Sequence, residues 1–567
     1  MVRHKRMNFP RKLIQAALIV TCIFLSGSVS GLVSGTQITH PAVNAFTVPV
    51  SIQTYGNAWE GYLAFGLWDF PIVSEGFTLT PQAYVVVMTT NGQLLDLRSA
   101  KGQINPATWM ATFAPVKYLG DDTIMYEGDP ITSTHFWNLK SNQTLDFPNV
   151  YGHHDMIFNP KTGTFLTLWS SVRQIDGRNV LMDTIVELDS EGNVLWTWDT
   201  YSDGHFGLKD ECRCNDTTVV DGQTVIDLTH ANSLQWDFQS NTIYMNMRAL
   251  DTFCKINKTT GQAVWCLGRR GDFKLLGPDG RHVPSLWYHG HDVQEVQPDV
   301  FSMFDNDFGN ATNSTNPCPA TFEETNAHSR MLEITVNEQN MTAWTSWSWT
   351  APREDWSPYW GSMDRLPNGD WIAAFGSQSH YVPGSGITSP LPNSTGAVLV
   401  EVNQNGQVVR TYTFTYGWGI YRVVPIALHT TNDYDGNLHK NPFTIKLTTT
   451  NELSGPADIF YKINNGATQS VAADGQPYIT AQGTNNTLEY WSVTSDGIAE
   501  SPHNILTGID LQNNSTSGIS ASTTTPTAPV QSISPNIASA AFEIQAVIAA
   551  AAIAVVAILL TKRSRRN

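Results

Sequence analysis

The sequence predicts an all-β fold, in which a six-bladed β-propeller precedes a small Ig-like β-sandwich and one C-terminal transmembrane helix. The chain has 567 residues with 42 glycines, 29 prolines and 18 tryptophans, and only 15% of its residues are charged. This composition is typical of many short strands joined by tight turns. A strand–turn–strand pattern also recurs along most of the chain, and an apolar run near the C-terminus ends in basic residues.

The recurring pattern predicts a series of β-hairpins. In each copy an apolar strand reaches a polar turn with Asn, Asp or Gly, and a second strand follows. The copies span residues 84–96, 135–145, 184–198, 252–265, 330–344 and 398–410.

A second kind of hairpin, with a very apolar return strand, falls between these copies. Its clearest examples span residues 155–168, 233–245, 293–304 and 362–375, and a weaker one spans 115–125. Two hairpins in each of about six units predict a six-bladed propeller over residues 50–435, with residues 421–427 closing the ring against the first hairpin. A stacked array of β-sandwiches is the alternative architecture.

The pattern changes near residue 440. Short apolar strands at residues 443–447, 457–463 and 487–493 predict a small Ig-like sandwich over residues 440–510, which we expect to act as a spacer or attachment module. Residues 511–537 are rich in Ser, Thr and Pro, which indicates an extended linker.

The two ends of the chain indicate export and membrane attachment. Residues 1–30 have the basic start, short apolar run and small residues of a signal peptide, with an uncleaved anchor as the alternative. Residues 538–560 are long and apolar enough for a transmembrane helix, and residues 561–567 form a basic cytoplasmic tail. The bulk of the chain is therefore expected outside the cell, at the cell membrane. Glycosylation sequons support this expectation; they include Asn142, Asn215, Asn257, Asn310, Asn313, Asn340 and Asn393.

The formal net charge is −17, which argues against nucleic acid and anionic membrane surfaces as partners. An anionic substrate would need a local cluster of His and Arg.

Two cysteines flank one predicted hairpin turn. Cys254 and Cys266 are expected nearly opposite each other, which predicts a disulfide outside the cell, with buried reduced cysteines as the alternative. The pairing of Cys212, Cys214 and Cys318 stays open.

Histidines occur at the start of three consecutive inner strands. When the units are aligned on their apolar runs, His154, His230 and His291 occupy equivalent positions of the repeat, and Gly361 occupies that position in the next unit. In a propeller these strand starts lie beside the central channel, so the three histidines are expected to share one pocket. Asp155 and Asp292 follow two of them and point away, because strand side chains alternate.

Arg248 ends an apolar strand in the His230 unit, where a charged residue is unusual and indicates a role in binding. Arg422 is a similar candidate. Three histidines also suit a transition metal. Adjacent arginines oppose a cation, so we expect an oxyanion site with no bound metal and no cofactor.

At these residues the chain resembles the exported, PAPS-independent arylsulfotransferases (aryl-sulfate sulfotransferases). The matching pieces span about residues 55–430: His153-His154-Asp155, the 227–233 segment with His230 and Asn232, Arg248, and Gly290-His291-Asp292-Val293 with 304–306. The resemblance implies a sulfotransferase that moves a sulfuryl group from a phenolic sulfate ester to a phenolic acceptor.

The resemblance also implies a ping-pong mechanism. His291 would be the nucleophile and become a transient sulfohistidine, while His154, His230 and Arg248 would hold the sulfuryl oxygens and help move protons. Their neighbours are predicted to bind substrate; they are His153, His289, Arg422 and Asn232. Two other functions stay open: a non-catalytic cell-surface propeller that binds a protein or glycan, and a metal- or quinone-dependent oxidoreductase.

Overall fold

The structure is a computed structural model that describes most of residues 46–512. The described ranges are 46–69, 82–100, 116–128, 133–201, 206–210, 217–220, 222–310, 326–376, 396–415, 417–471 and 477–512. Within them the regular structure is strands and three-residue 3-10 helices, Leu208–Asp210, Arg248–Leu250 and Arg353–Asp355.

Six antiparallel sheets, each built on four strands, follow one another through residue 426. The first contains β2 (Tyr62–Asp69), β3 (Gln82–Thr89), β4 (Leu94–Ser99) and β28 (Trp418–Ile426). The second contains β5 (Lys117–Gly120), β6 (Thr123–Gly128), β7 (Ser133–Asn138) and β8 (Gln143–Pro148). The third contains β9 (Met156–Asn159), β10 (Thr164–Ile175), β11 (Arg178–Leu188) and β12 (Val194–Asp199), extended by β13 (Thr217–Val220) and β14 (Gln223–Asp227).

The other three sheets follow the same order. The fourth contains β15 (Ala231–Asp237), β16 (Thr242–Met247), β17 (Thr252–Asn257) and β18 (Gln262–Gly268). The fifth contains β20 (His291–Gln297), β21 (Val300–Asp305), β22 (Arg330–Asn337) and β23 (Thr342–Thr350), with β19 (Lys274–Leu276) parallel to β23. The sixth contains β24 (Ser362–Arg365), β25 (Trp371–Phe375), β26 (Val398–Val402) and β27 (Val408–Phe414), with β1 (Val50–Thr54) on its outer edge.

The predicted hairpins are present in these sheets. Both kinds occur in the third to sixth sheets, and β28 pairs with β2, which brings the end of this region back to its beginning. Cys254 and Cys266 lie opposite each other on β17 and β18, and a disulfide joins them.

Both faces of these sheets are covered. Leu63 and Ala64 are adjacent on β2 yet belong to different cores, because successive side chains of a strand point to opposite faces. One core lies between each pair of successive sheets, and another lies between the sixth sheet and the first. Representative pairs, in that order, are Ala64 with Ile124, Met125 with Phe165, Leu166 with Leu234, Tyr244 with Phe301, Phe304 with Met363, and Ile372 with Leu63.

Residues 429–511 form three further sheets around a separate core. The strands are β29 (His429–Asn432) paired with β31 (Leu447–Thr450), β30 (Phe443–Thr444) paired with β34 (Tyr478–Ile479), and the sheet of β33 (Gln469–Val471), β32 (Ala457–Ile463), β35 (Gly483–Thr494) and β36 (Asn504–Leu511). Ile459, Leu488 and Ile509 are fully buried between them. β29 lies inside the range predicted for the propeller but pairs with a strand of this region.

No helix within the described ranges is long and apolar enough to cross a membrane. The predicted signal peptide, the linker beyond residue 512, the span at residues 538–560 and the basic tail lie outside those ranges, as do Cys212, Cys214 and Cys318.

Candidate active site

One repeated hydrogen bond connects five successive sheets, from the third sheet round to the first, at or beside the edge strands β9, β15, β20, β24 and β28. In each case a backbone N–H donates to a side-chain oxygen of the neighbouring sheet. The pairs are Leu234 to Asp155 Oδ2 (2.9 Å), Val293 to Ser233 Oγ (3.1 Å), Met363 to Asp292 Oδ2 (3.2 Å) and Val423 to Ser362 Oγ (3.2 Å). The residue before each acceptor therefore holds an equivalent place, and these residues are His154, Asn232, His291 and Gly361.

This register corrects the sequence alignment of His230. Asn232, not His230, is equivalent to His154 and His291, and His230 lies two residues earlier. The strand β15 has an irregular register between Ala231 and Ser233, and its apolar run begins at Leu234, four residues after His230. At the fourth place, a Cβ on Gly361 would lie 2.1 Å from the Phe304 ring, so only glycine fits there.

Several residues at these strand starts have a left-handed backbone. The φ angles of His154, His230 and Asp292 are 63°, 45° and 56°. A non-glycine residue in this region costs on the order of 1 kcal/mol or more, and such residues concentrate at functional sites.

The imidazole of His291 is 1% exposed, and its hydrogen bond sets its tautomer. Its Nδ1 lies 2.6 Å from Asn306 Oδ1. The amide nitrogen of Asn306 donates to the carbonyls of Ser357 (2.6 Å) and Trp360 (3.1 Å), so its oxygen must face His291. An oxygen acceptor requires a proton on Nδ1, which leaves the lone pair of Nε2 available.

The environment of His291 favours the neutral imidazole. Burial lowers its pKa well below the usual range, and the Arg248 guanidinium adds to this effect, while the bond to Asn306 opposes it. The outcome is a neutral imidazole with a free Nε2, which is the reactive form of histidine as a nucleophile.

His154 belongs to a chain of hydrogen-bonded groups. Its Nδ1 lies 2.8 Å from Nδ1 of His153, and Nε2 of His153 lies 3.3 Å from Asp183 Oδ1. Burial, followed by the charge of His153, lowers the pKa of His154 well below the usual range. Burial opposes the charge of Asp183, but the bond to His153 and the charge of His153, followed by the bonds from the Ala231 N–H and the Thr229 hydroxyl, outweigh it and lower the pKa of Asp183.

His230 is oriented by a carboxylate three residues before it. Its Nδ1 lies 2.5 Å from Asp227 Oδ2, so Nδ1 donates and Nε2 is left for other partners. The rings of His154 and His230 are 5.2 Å apart. In His154, His230 and His291 alike, Nδ1 therefore forms a hydrogen bond within the protein.

Arg248 lies beside these histidines and is 4% exposed. Its N–H donates to the carbonyl of His230 (3.2 Å), which fixes its backbone at the site. Its guanidinium lies 5.5 Å from the Tyr359 ring centre and 6.0 Å from that of Phe308. A cation and two aromatic faces thus adjoin the histidines.

Arg422 lies in a different environment. Its Nη1 contacts Asp155 Oδ2 (2.9 Å) and Asp292 Oδ1 (3.3 Å), and its Nη2 donates to the Asn232 carbonyl (2.6 Å). Asp155 is also paired with Lys117 at 2.9 Å. Burial opposes the charge of Arg422, but the two carboxylates overcome it and raise its pKa. Asp155 and Asp292 therefore hold a buried cation, in agreement with their predicted direction away from the histidines.

Tyr421 lies beside His154 and His291, and no pattern in the sequence predicted a role for it. Its ring centre lies 6.0 Å from that of His154 and 6.1 Å from that of His291. Trp360 lies 6.2 Å from it on another side. These rings provide flat apolar surfaces suited to an aromatic ligand.

Two further predicted residues have contacts within the protein. Asn232 donates to the Gly290 carbonyl (3.0 Å) and accepts from Asn246 (2.7 Å), so its side chain supports the segment that carries His291. His289 Nδ1 donates to the Phe308 carbonyl (2.7 Å), and its N–H donates to Asp251 (2.7 Å). Their predicted substrate contacts, like those of His153 and Arg422, stay predictions.

Within the described ranges, no group of three or more His, Cys, Asp or Glu side chains is arranged to hold a metal ion. The donor set at the site is instead three imidazoles, a guanidinium and aromatic rings.

In this all-β chain, three histidines and an arginine lie together beside aromatic rings, a combination of side chains that can hold an anionic group. The family model described as "Arylsulfotransferase (ASST)" matches residues 138–422. The chain belongs to this family, which supports a sulfotransferase-type function with small-molecule donor and acceptor. No curated protein sequence matches the chain significantly.

Solved structures show only distant similarity. Kuenenia stuttgartiensis hydrazine synthase is 9% identical (57% of this chain, 70% of that one, TM-score 0.25). A luciferin-regenerating enzyme is 8% identical (72% and 97%, TM-score 0.27), and Pyrococcus horikoshii acylaminoacyl peptidase is 8% identical (77% and 56%, TM-score 0.26). At this level of similarity they support no assignment.

Proposed function

We propose that this chain is a PAPS-independent aryl-sulfate sulfotransferase, which transfers a sulfuryl group from a phenolic sulfate ester to a phenolic acceptor by a ping-pong mechanism. The observation that carries the proposal is the neutral His291 imidazole, whose Nε2 is available because Asn306 occupies Nδ1. Family membership supports the group transferred.

In the first half-reaction, the His291 Nε2 lone pair attacks sulfur and the bond from sulfur to the phenolic oxygen breaks. The departing phenolate takes a proton, and the sulfuryl group stays on His291 as a sulfohistidine. In the second half-reaction an acceptor phenol loses its proton to a base, its oxygen attacks sulfur, and the bond to Nε2 breaks. Splitting the transfer in this way replaces one difficult step by two easier ones.

The other groups have complementary roles. Arg248 offsets the negative charge of the sulfuryl oxygens. His154 and His230, each oriented through Nδ1, accept and return the phenolic proton through Nε2. Tyr421, Trp360 and Tyr359 hold the aryl ring.

We also propose that the six sheets form a six-bladed propeller with the histidines at one end of its central channel. The cores between all successive sheets, including the sixth and the first, support this arrangement. We also propose that the chain is exported and attached to the membrane through residues 538–560. Protease treatment of intact cells tests this proposal, because it should release the bulk of the chain.

The test of the function is an assay with a chromogenic nitrophenyl sulfate and a second phenol. We expect sustained nitrophenol release that requires the acceptor, and, when the acceptor is omitted, a single equivalent of release with transfer of radiolabelled sulfur to the protein. His291→Asn should abolish release and labelling, whereas His503→Asn, at a histidine of the separate 429–511 region that pairs with Glu489, should retain both. Labelling that survives in His291→Asn overturns the nucleophile, and release into water without acceptor indicates a sulfatase instead.

A further inference from the structure

A second cavity, distinct from the histidine pocket, lies where β18 leads into β19. Its volume is about 350 Å³, and its walls include Arg269, Arg270, Phe273, Leu275 and His282. We call it the Arg270 pocket. This volume falls in the range of small-ligand sites and suits one aromatic ring with a charged substituent.

The two arginines of the pocket differ in their partners. Arg269 Nε lies 2.9 Å from Asp251 Oδ2, so its charge is matched within the protein. Arg270 forms no ion pair with any residue of the described ranges, and its Nε is buried there without a hydrogen-bond partner. The guanidinium of Arg270 is half-buried and its charge is not matched by a carboxylate of the described ranges, so it can bind an anion in the cavity.

The backbone that carries Arg270 is held in place. Its N–H donates to Thr252 Oγ1 (3.1 Å), and the N–H of Gly271 donates to the carbonyl of Gly268 (3.0 Å). A Cβ on Gly271 would lie 2.3 Å from the Cys266 carbonyl oxygen, so the turn depends on this glycine. Such a turn holds the backbone of Arg270 in place, so less of the chain has to be ordered on binding.

The pocket is connected to the histidine site through one carboxylate. Asp251 pairs with Arg269 and also accepts the N–H of His289 at 2.7 Å. The two sites therefore lie at the same end of the sheets.

We propose that the Arg270 pocket is a second, non-catalytic binding site for aromatic anions such as aryl sulfates. The guanidinium of Arg270 binds the anionic group, and Phe273 and Leu275 contact the ring. Binding there requires no sulfuryl transfer, so this proposal stands apart from the proposed function.

Fluorobenzenesulfonate, which cannot donate a sulfuryl group from its carbon–sulfur bond, is a suitable probe. Fluorine NMR of the full chain should show two bound signals. Arg270→Gln should remove one of them, with affinity at that site reduced at least about tenfold, and Arg248→Gln should weaken the other. Because Arg270 forms no ion pair, its variant should fold, and Arg270→Lys should retain most of the affinity.

Arg281→Gln is the matched control, since it removes the same charge from a neighbouring, highly exposed arginine that pairs with Asp279. Its spectrum should match that of the wild type. A spectrum unchanged by Arg270→Gln overturns the proposal, as does inorganic sulfate that displaces the probe with the affinity of the probe itself. The sulfotransferase proposal fails on a different measurement, namely if the wild-type protein transfers no sulfuryl group in the nitrophenyl sulfate assay.

Discussion

Adjacent residues on the same strands form two layers with opposite properties. The histidine layer contains His154, His291 and Tyr421, whereas the next residue along each strand, Asp155, Asp292 and Arg422, forms the paired layer. In the histidine layer, His154 and His291 are neutral and keep one ring nitrogen for other partners. In the paired layer, Arg422 contacts both carboxylates, and each carboxylate accepts a backbone N–H of the neighbouring sheet.

The difference shows that consecutive residues of one segment can have opposite electrostatic environments. Alternating side chains place a reactive group and a structural group on consecutive residues. A buried charge that is matched holds sheets together, and an imbalance there is costly. The histidine layer should therefore control activity, and the paired layer should control stability.

The largest expected effects come from two buried arginines: Arg248, which lies beside the histidine layer, and Arg422, which belongs to the paired layer. Arg248→Gln should lower kcat/KM by about a hundredfold to a thousandfold, because it removes the cation at the sulfuryl oxygens. Its effect on the free energy of unfolding should be smaller than that of Arg422→Gln, which leaves two buried carboxylates without their shared cation. Arg422→Gln should lower that free energy by about 3–5 kcal/mol, because Asp155 and Asp292 lose their buried partner. Urea denaturation and the transfer assay measure both quantities, and equal stability losses would break the comparison.

The tautomer of His291 can be tested through Asn306. In Asn306→Asp a carboxylate faces Nδ1, stabilises the imidazolium and raises the pKa of His291. The acid limb of kcat/KM should therefore move to higher pH, and kcat near neutral pH should fall by about tenfold or more. Asn306→Ala should lower kcat without that upward shift. A pH profile identical to the wild type in Asn306→Asp would contradict the proposed positioning role.

Asp227 should have a smaller effect on activity. Asp227→Asn keeps an acceptor for His230 Nδ1 but removes the charge that stabilises protonated His230, so kcat/KM should fall by about tenfold. Asp237→Asn is the control, since this carboxylate bonds only Gln239 and Ser240 of its own turn among the described residues. Equal activity of the two variants would remove Asp227 from the mechanism.

The smallest expected effect concerns pH and stability. Burial lowers the pKa of His291 in the folded protein, so the unfolded chain binds its proton first as pH falls through about 6.5. Stability should therefore decrease below that pH until the folded-state pKa is passed. The decrease between about pH 7.5 and about pH 5.5 should be shallower in His291→Asn. Denaturant titrations at the two pH values measure the slope, and equal slopes in both proteins would count against a neutral His291.

Much of the local structure could be predicted from residue pattern. Neighbouring residues and strand alternation predict the hairpins and the opposed Cys254 and Cys266. They also predict that Asp155 and Asp292 point away from the histidines. Arg248 was also found by pattern, because a cation at the end of an apolar strand is unusual. The register of His230 was predicted wrongly, although the apolar run begins four residues after His230 and only two residues after His154 and His291.

Periodicity and residue type were enough to predict the all-β class, the order of the hairpins and the three histidines that lie close together. Which nitrogen of each histidine forms a hydrogen bond, and which charges are matched, depends on how the sheets pack. Asp155 and Arg422 are 267 residues apart, and Asn306 reaches two carbonyls more than 50 residues away. Contacts of that range arise when sheets pack against each other, and no local pattern encodes them.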